Sequence, residues 1–277
     1  MKGQEKIRRS TIAGSWYPGT ADQLARTVDT YLDNVEKEEV EGELVGLISP
    51  HAGYAYSGQV AAYAYKQLED KRLDTVVLMG PSHRAYVGDY AVSAESHYET
   101  PLGLIELDRD FIERLRAEID LPLVERDPEH SLEIQLPFMQ RVLGQFRLVP
   151  IMMSTDSVEA CRTLGQALAK LWSEGHTLLV ASTDLHHINN YDEVVRRDRA
   201  VVEAVESYDL DRITQLLLTP GCSVCGRMPV ITLLLAGENL GANAVKVLHY
   251  TNSGDVTGNR LPGSYTVGYM AAAIYRA

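Results

Sequence analysis

Three histidines in this sequence each follow a short apolar run. His51 stands in SPHAGY, His83 stands in GPSH, and His187 ends the segment STDLHH. A neutral imidazole nitrogen is a common ligand of divalent metal ions. If the apolar runs are neighbouring parallel strands, the three histidines meet at one crevice, because ligands of open α/β sheets bind beyond the carboxyl ends of the strands. The runs are Leu44–Ser49, Thr75–Gly80 and Thr177–Ser182.

Cys225 is the candidate for a third metal ligand. It lies in GCSVCGRMP, directly before a helical pattern that begins at Pro229. A helix N-terminus stabilises a thiolate, which is the form of cysteine that binds metal or attacks as a nucleophile. Cys222 stands three residues earlier, so a redox pair or half of a zinc knuckle stays open, as does a buried structural role for Cys222. A complete zinc ribbon would need a second cysteine pair.

A further polar cluster lies in the segment EHSLEIQLPF, which runs from Glu129 to Phe138. In one interpretation Ser131 caps a helix and Glu133 in its first turn interacts with the helix dipole. In the other, His130 and Glu133 lie on the rim of the pocket, where they orient ligands or move protons. The sequence favours neither interpretation over the other.

Apolar runs alternate with amphipathic segments along the whole chain, which predicts an α/β fold. We expect a single domain over residues 1–277 with a central, largely parallel or mixed sheet flanked by helices. The remaining predicted strands are Tyr90–Ala94, Arg147–Met153, Val245–Tyr250 and Tyr265–Tyr275. The predicted helices are Ala21–Val35, Ser57–Glu69, Asp108–Ile119, Ser131–Leu143, Ser157–Ser173, Tyr191–Glu206, Asp209–Leu218 and Pro229–Leu240.

The net charge and the cysteine content argue against several classes of protein. The 277 residues carry a formal charge of −12, and an acidic surface repels phosphate backbones, so no nucleic-acid partner is expected. The chain shows neither an apolar leader nor an apolar run of membrane-spanning length, so we expect no signal peptide and no membrane partner. Three cysteines do not suggest a disulfide scaffold, and a reducing cytoplasm is the expected location.

Six motifs occur in a fixed order along the chain. They are AGSWYPG (Ala13–Gly19), SPHAGYAYSG (Ser49–Gly58), GPSHR (Gly80–Arg84), EHSLEIQLPF (Glu129–Phe138), STDLHH (Ser182–His187) and CGR (Cys225–Arg227). Together they resemble the Memo family, whose microbial members are called AmmeMemoRadiSam system protein B. The resemblance extends from about Thr11 to the C-terminus. The family's fold resembles that of class III extradiol dioxygenases, which are non-haem iron enzymes.

The resemblance implies roles for individual residues. It implies that His51, His83 and Cys225 are the metal ligands, with Fe(II) as the first candidate and copper or zinc as alternatives. Dioxygenase iron uses two histidines and a carboxylate, whereas a thiolate would replace the carboxylate here. We expect His187 and Asp184 to be catalytic, with Asp184 setting the tautomer of His187. The residues expected to bind substrate are Trp16, Tyr54, His130, Glu133 and Arg227.

Three functions are compatible with these residues. The first is redox-active non-haem metal chemistry on an unidentified substrate, as in a dioxygenase-like oxidoreductase. The second is a binding or adaptor module that holds a peptide or small molecule in the same pocket without chemistry. The third is metal-assisted hydrolysis, or a Cys225 nucleophile paired with His187. The family name also implies two partners, a radical-SAM protein and a second small protein.

Overall fold

The computed structural model describes residues 6–38 and 42–277, and its centre is a mixed β-sheet. The strands are β1 Ile7–Arg8, β2 Glu43–Ser49, β3 Thr75–Pro81, β4 Tyr90–Ser93, β5 His97–Thr100, β6 Gly103–Glu106, β7 Leu123–Val124, β8 Arg147–Met153, β9 Thr177–Ser182, β10 His187–Ile188, β11 Ala244–Asn252 and β12 Thr266–Arg276. The helices are α1 Ala21–Asp33, α2 Tyr54–Lys66, α3 Arg109–Glu118, α4 His130–Glu133, α5 Leu136–Leu143, α6 Val158–Leu171, α7 Tyr191–Glu206, α8 Leu210–Leu217, α9 Arg227–Asn239 and α10 Ser253–Thr257.

The main sheet has the strand order β10-β12-β2-β9-β3-β8-β4-β7, and β11 also pairs with β12. Strands β2, β9, β3 and β8 are parallel to one another, while β12 runs antiparallel to β2. These central strands consist almost wholly of buried residues, as expected where helices cover both faces of a sheet. A separate sheet contains β1, β5 and β6. The α/β class with a mixed sheet flanked by helices is therefore confirmed.

The helices differ in how deeply they are buried. Helix α9 packs on β9, β2 and β3, and α6 packs along α9. The α6–α9 contact is close because Gly165 has no side chain, and a Cβ there would lie 3.2 Å from the backbone of α9. Helix α2 packs on β12, β11 and β2, and α1 and α5 pack on α2. Among the described residues, no helix is long and apolar enough to cross a bilayer.

Most predicted elements are present, and the differences have local causes. The helix expected over Ser131–Leu143 is divided into α4 and α5. Pro137 lies in the first turn of α5, and proline there cannot donate the backbone hydrogen bond that would continue α4. The strands that the sequence did not indicate are β1, β5, β6, β7 and β10, each of which is only two to four residues long.

Candidate metal centre

The three strand ends that carry histidines lie side by side. Strand β9 pairs in parallel with β2 on one side and with β3 on the other. Their residues are in register, with Ser49 opposite Ser182 and Met79 opposite Ala181. The segments that follow these strands therefore leave the same edge of the sheet, as predicted from the sequence.

His51 is held rigidly just beyond β2. Its ring is buried, and its Nδ1 lies 3.0 Å from the hydroxyl of Ser182. The backbone N–H of His51 donates to the carboxylate of Asp184 at 2.7 Å. Burial lowers the pKa of His51, and the neighbouring histidines lower it further. The ring is therefore neutral, the form in which imidazole binds metal, and its Nε2 lies 3.0 Å from Cys225 Sγ.

Cys225 lies in the loop before α9, and its sulfur reaches the Nε2 atom of His51. Its Sγ accepts a hydrogen bond from the backbone N–H of Asp184 at 3.3 Å. Gly226 allows this close approach, because a Cβ there would lie 2.3 Å from the carbonyl oxygen of Ser182. Burial raises the pKa of Cys225, and the nearby Asp184 carboxylate raises it further. Burial therefore outweighs the helix N-terminus that was expected to favour the thiolate, and a bound cation would be needed to deprotonate the sulfur.

The carboxylate of Glu129, which is not among the predicted site residues, orients His83. The Oε2 atom of Glu129 accepts a hydrogen bond from the backbone N–H of His83 at 2.6 Å, and its Oε1 lies 3.2 Å from His83 Nδ1. The Nδ1 of His130 lies 2.8 Å from the same Oε1. Burial raises the pKa of Glu129, but the nearby imidazoles of His130 and His83 and the backbone N–H of His83 hold it well below its usual range. The ionised carboxylate engages Nδ1 of His83 and leaves its Nε2 for a ligand.

The donor atoms are close enough to share one ion. One donor atom each from His51, His83 and Cys225 lies within 4.8 Å of the other two. Metal–nitrogen and metal–sulfur bonds of about 2.0–2.3 Å require such a cluster. The buried Nε2 of His187 has no hydrogen-bond partner among the described residues. Such an unsatisfied polar atom beside the cluster is consistent with a site that is completed by a ligand.

The expected hydrogen bond between Asp184 and His187 does not form in the described structure, although a carboxylate oxygen of Asp184 and a ring nitrogen of His187 lie within 4.8 Å of each other. The carboxylate of Asp184 instead accepts the backbone N–H groups of His51 and Ala52, at 2.7 and 3.2 Å. Burial raises the pKa of Asp184 to about 7, although these hydrogen bonds lower it. The Nδ1 of His187 lies 3.0 Å from the hydroxyl of Tyr265. Tyr265 was missed because it follows an exposed polar loop with no recognisable motif.

The cluster opens into a cavity of about 590 Å³. Two of the predicted substrate-binding residues, Trp16 and His130, line this cavity, and their rings lie 4.4 Å apart between centroids. The wall is mainly apolar and includes further aromatic side chains. Tyr56, Tyr265, Val267 and Tyr269 also line the cavity.

Three other predicted substrate-binding residues point elsewhere. Tyr54 is buried in the core, and its hydroxyl donates to the carbonyl oxygen of Ile134 at 2.9 Å. Arg227 pairs with the exposed Asp156. Neither residue lines the cavity, because each side chain has a partner away from it.

Glu133 is the third, and it belongs to a buried ionic network. Its carboxylate pairs with the guanidinium of Arg8, and both side chains are almost completely buried. It also accepts hydrogen bonds from the hydroxyls of Ser10 and Tyr17 at 2.5 and 2.6 Å. Glu133 therefore joins the N-terminal segment to α4 rather than contacting a ligand.

The fold and the site define a class of protein, an α/β protein with imidazole and thiol donors at the carboxyl edge of its sheet. A family model described as "Memo-like protein" matches residues 8–273. The chain therefore belongs to the Memo family, as its six motifs indicated.

Similar proteins agree with this assignment. A "MEMO1 family protein" of Nitrosopumilus maritimus is 32% identical, with 96% of this chain and 98% of the relative covered. A relative of the same description in Methanosarcina barkeri is 35% identical, with 97% and 100% covered. A crystal structure of an uncharacterised Escherichia coli K12 protein has a TM-score of 0.56 at 12% identity, covering 84% of this chain and all of that one. This last similarity shows the fold alone.

Proposed function

We propose that this protein binds a single metal ion through His51, His83 and Cys225 and uses it for oxidative chemistry on a bound substrate. The observation that carries the proposal is the convergence of three donor atoms within 4.8 Å. Imidazole and thiolate donors are compatible with iron, copper and zinc. Fe(II) is the first candidate because the fold of the family resembles that of non-haem iron dioxygenases. The buried Nε2 of His187, which lacks a partner among the described residues, supports a site that is completed by ligands.

An iron or copper ion in this site would supply one-electron and dioxygen chemistry. His187 would act on the proton of a bound molecule. Burial lowers the pKa of His187, which keeps the ring neutral near pH 7 and able to accept a proton at Nε2. The hydroxyl of Tyr265 at Nδ1 would fix the tautomer of the ring. The aromatic wall that includes Trp16 and Tyr269 would exclude water from the reacting atoms.

A binding function without chemistry is the second candidate, and the apolar wall of the cavity favours it. Trp16, Tyr56 and Tyr265 offer flat surfaces to an apolar side chain or ring. In that case a peptide or small molecule would stabilise the fold equally well with and without metal. Metal-dependent binding would instead support the oxidative proposal.

The experiment is elemental analysis of protein purified without oxygen. We expect about one equivalent of iron or copper in the unaltered chain and loss of that metal in His51→Ala and Cys225→Ser. His176→Ala is the matched control, because this histidine pairs with Asp74 at the surface and lies outside the cluster. Equal metal content in all four proteins, or no metal uptake by the unaltered chain, would contradict the proposal.

A further inference from the structure

The two cysteines of the Cys222-x-x-Cys225 motif face different cavities. Cys225 Sγ lies beside His51 in the metal-site cluster. Cys222 instead lines a second cavity of about 290 Å³, together with His186. Neither cysteine forms a disulfide in the described part of the chain. The two cysteines of the motif therefore belong to separate sites, and the metal centre does not account for Cys222.

His186 is held in place by a buried carboxylate. Its ring is 4% exposed, and its Nδ1 lies 2.8 Å from Oδ1 of Asp198. The same oxygen accepts the backbone N–H of His186 at 3.0 Å, while Tyr250 donates its hydroxyl to the other oxygen at 3.0 Å. Asp198 is fully buried on α7. The hydrogen bond at Nδ1 fixes the orientation of the ring. The other edge of the imidazole is left for Cys222, which lines the same cavity.

The charges around this pair favour a thiolate. Burial lowers the pKa of His186, but the hydrogen bond to Asp198 and the nearby sulfur of Cys222 raise it to about 9, so the ring is cationic near pH 7. Burial raises the pKa of Cys222, but the interaction with His186 and the positive charge of Arg227 bring it below its ordinary value. A Cys–His–Asp arrangement of this kind activates sulfur as a nucleophile. The charged groups near the thiol are His186, Asp198, Arg196, Arg197 and Arg227. Glu193 pairs with Arg196 and Arg197, and Asp156 pairs with Arg227.

Access to the sulfur distinguishes Cys222 from Cys161. Cys222 is only partly buried and opens on its own cavity, whereas Cys161 is fully buried. Burial raises the pKa of Cys161 to about 11. Reactive cysteines combine exposure with nearby positive charge, and only Cys222 among the three has both in the described structure.

We propose that Cys222, His186 and Asp198 form a thiol oxidation site that reacts with hydroperoxides. The Cys222 thiolate attacks the terminal oxygen of the hydroperoxide, the O–O bond breaks, and a sulfenic acid forms at Cys222. The leaving alkoxide takes the proton from His186 and departs as an alcohol, or as water when the oxidant is hydrogen peroxide. Sulfur is oxidised by two electrons and the peroxide is reduced by two, after which His186 regains a proton from solvent.

The test compares the three thiols within one chain. The protein is treated with one equivalent of hydrogen peroxide in the presence of a sulfenic-acid-trapping dione, and the labelled peptides are quantified by mass spectrometry. We expect Cys222 to be labelled about tenfold faster than Cys161. The label should persist in Cys225→Ser, which separates this site from the proposed metal centre. Faster labelling of Cys161 or Cys225 than of Cys222 would overturn the proposal.

His186→Gln tests the activation of the thiol. We expect the rate of Cys222 alkylation by iodoacetamide at pH 7 to fall about tenfold in this variant. An unchanged rate in a folded variant would overturn the role of His186. Since the substitution itself could disturb folding, the unaltered chain supplies a second measurement, the alkylation rate of Cys222 against pH. The rate should reach its plateau at a lower pH in the folded protein than in urea, and coincident profiles would refute the proposal.

Discussion

Replacing Glu133 with glutamine should destabilise the protein strongly, although the residue lies away from the candidate site. The substitution removes the negative charge that pairs with Arg8 inside the protein. The guanidinium would then keep Asp127 as its remaining buried carboxylate, at 3.4 Å from its Nε. Removing one partner of a buried ion pair costs more than the pair contributes, because the other charge stays desolvated.

The size of the effect follows from the partners that remain. Breaking a buried pair costs about 3–5 kcal/mol. A glutamine at position 133 could still accept hydrogen bonds from Ser10 and Tyr17, and Asp127 would still balance part of the charge. We therefore expect the free energy of unfolding to fall by about 3 kcal/mol, near the lower end of this range. At about 2–4 °C per kcal/mol, the melting temperature should fall by roughly 6–12 °C.

Urea denaturation and thermal unfolding, followed by circular dichroism, would measure both quantities. Glu193→Gln is the matched control, because Glu193 also forms ion pairs with arginine, here Arg196 and Arg197, but does so at the protein surface. Surface pairs contribute little, so this variant should unfold like the unaltered chain. If Glu133→Gln and Glu193→Gln proved equally stable, the argument from burial would be refuted.

Three further predictions concern the site and its surroundings. Glu129→Gln should weaken metal binding about 10- to 100-fold, because it loosens the orientation of His83. Competition with a chelator would measure the affinity, and an unchanged affinity would contradict this prediction. His186 has a pKa raised from 6.5 to about 9 by Asp198, so its stabilisation is complete below pH 6.5 and is lost as the pH rises through 9. Urea unfolding should show a decrease of up to about 3 kcal/mol across that range, absent in His186→Gln. Gly226→Ala should lower the free energy of unfolding by about 1–3 kcal/mol and lower the metal content, because the new Cβ would lie 2.3 Å from the last carbonyl oxygen of β9. Unchanged stability and metal content would show that the loop can move.

The convergence of the strand-end histidines was predictable from the sequence because it depends on a general property of parallel sheets. His51, His83 and His187 each follow a fully buried apolar run, and such runs pack side by side in α/β folds. The division of the predicted helix at residues 134–135 was also foreseeable, since Pro137 stands in the motif.

Side-chain partners were less predictable, because they depend on residues far away in the chain. Glu133 was expected to bind substrate, yet Arg8, 125 residues away, neutralises its charge. Asp184 stands near His187 in sequence, but its carboxylate accepts the backbone N–H groups of His51 and Ala52, which follow the neighbouring strand β2. Glu129 carried a recoverable signal, a carboxylate directly before His130 in a motif rich in polar groups. Tyr265 carried none.

The distance along the chain between the candidate donors has a consequence for biosynthesis. His51 and Cys225 are 174 residues apart, although their side chains touch in the folded protein. During translation, domains form progressively as the chain emerges from the ribosome. A nascent chain that ends before Cys225 would contain both histidines but not the sulfur. High-affinity metal capture would therefore await the synthesis of Cys225, and copies truncated before it would bind metal only weakly.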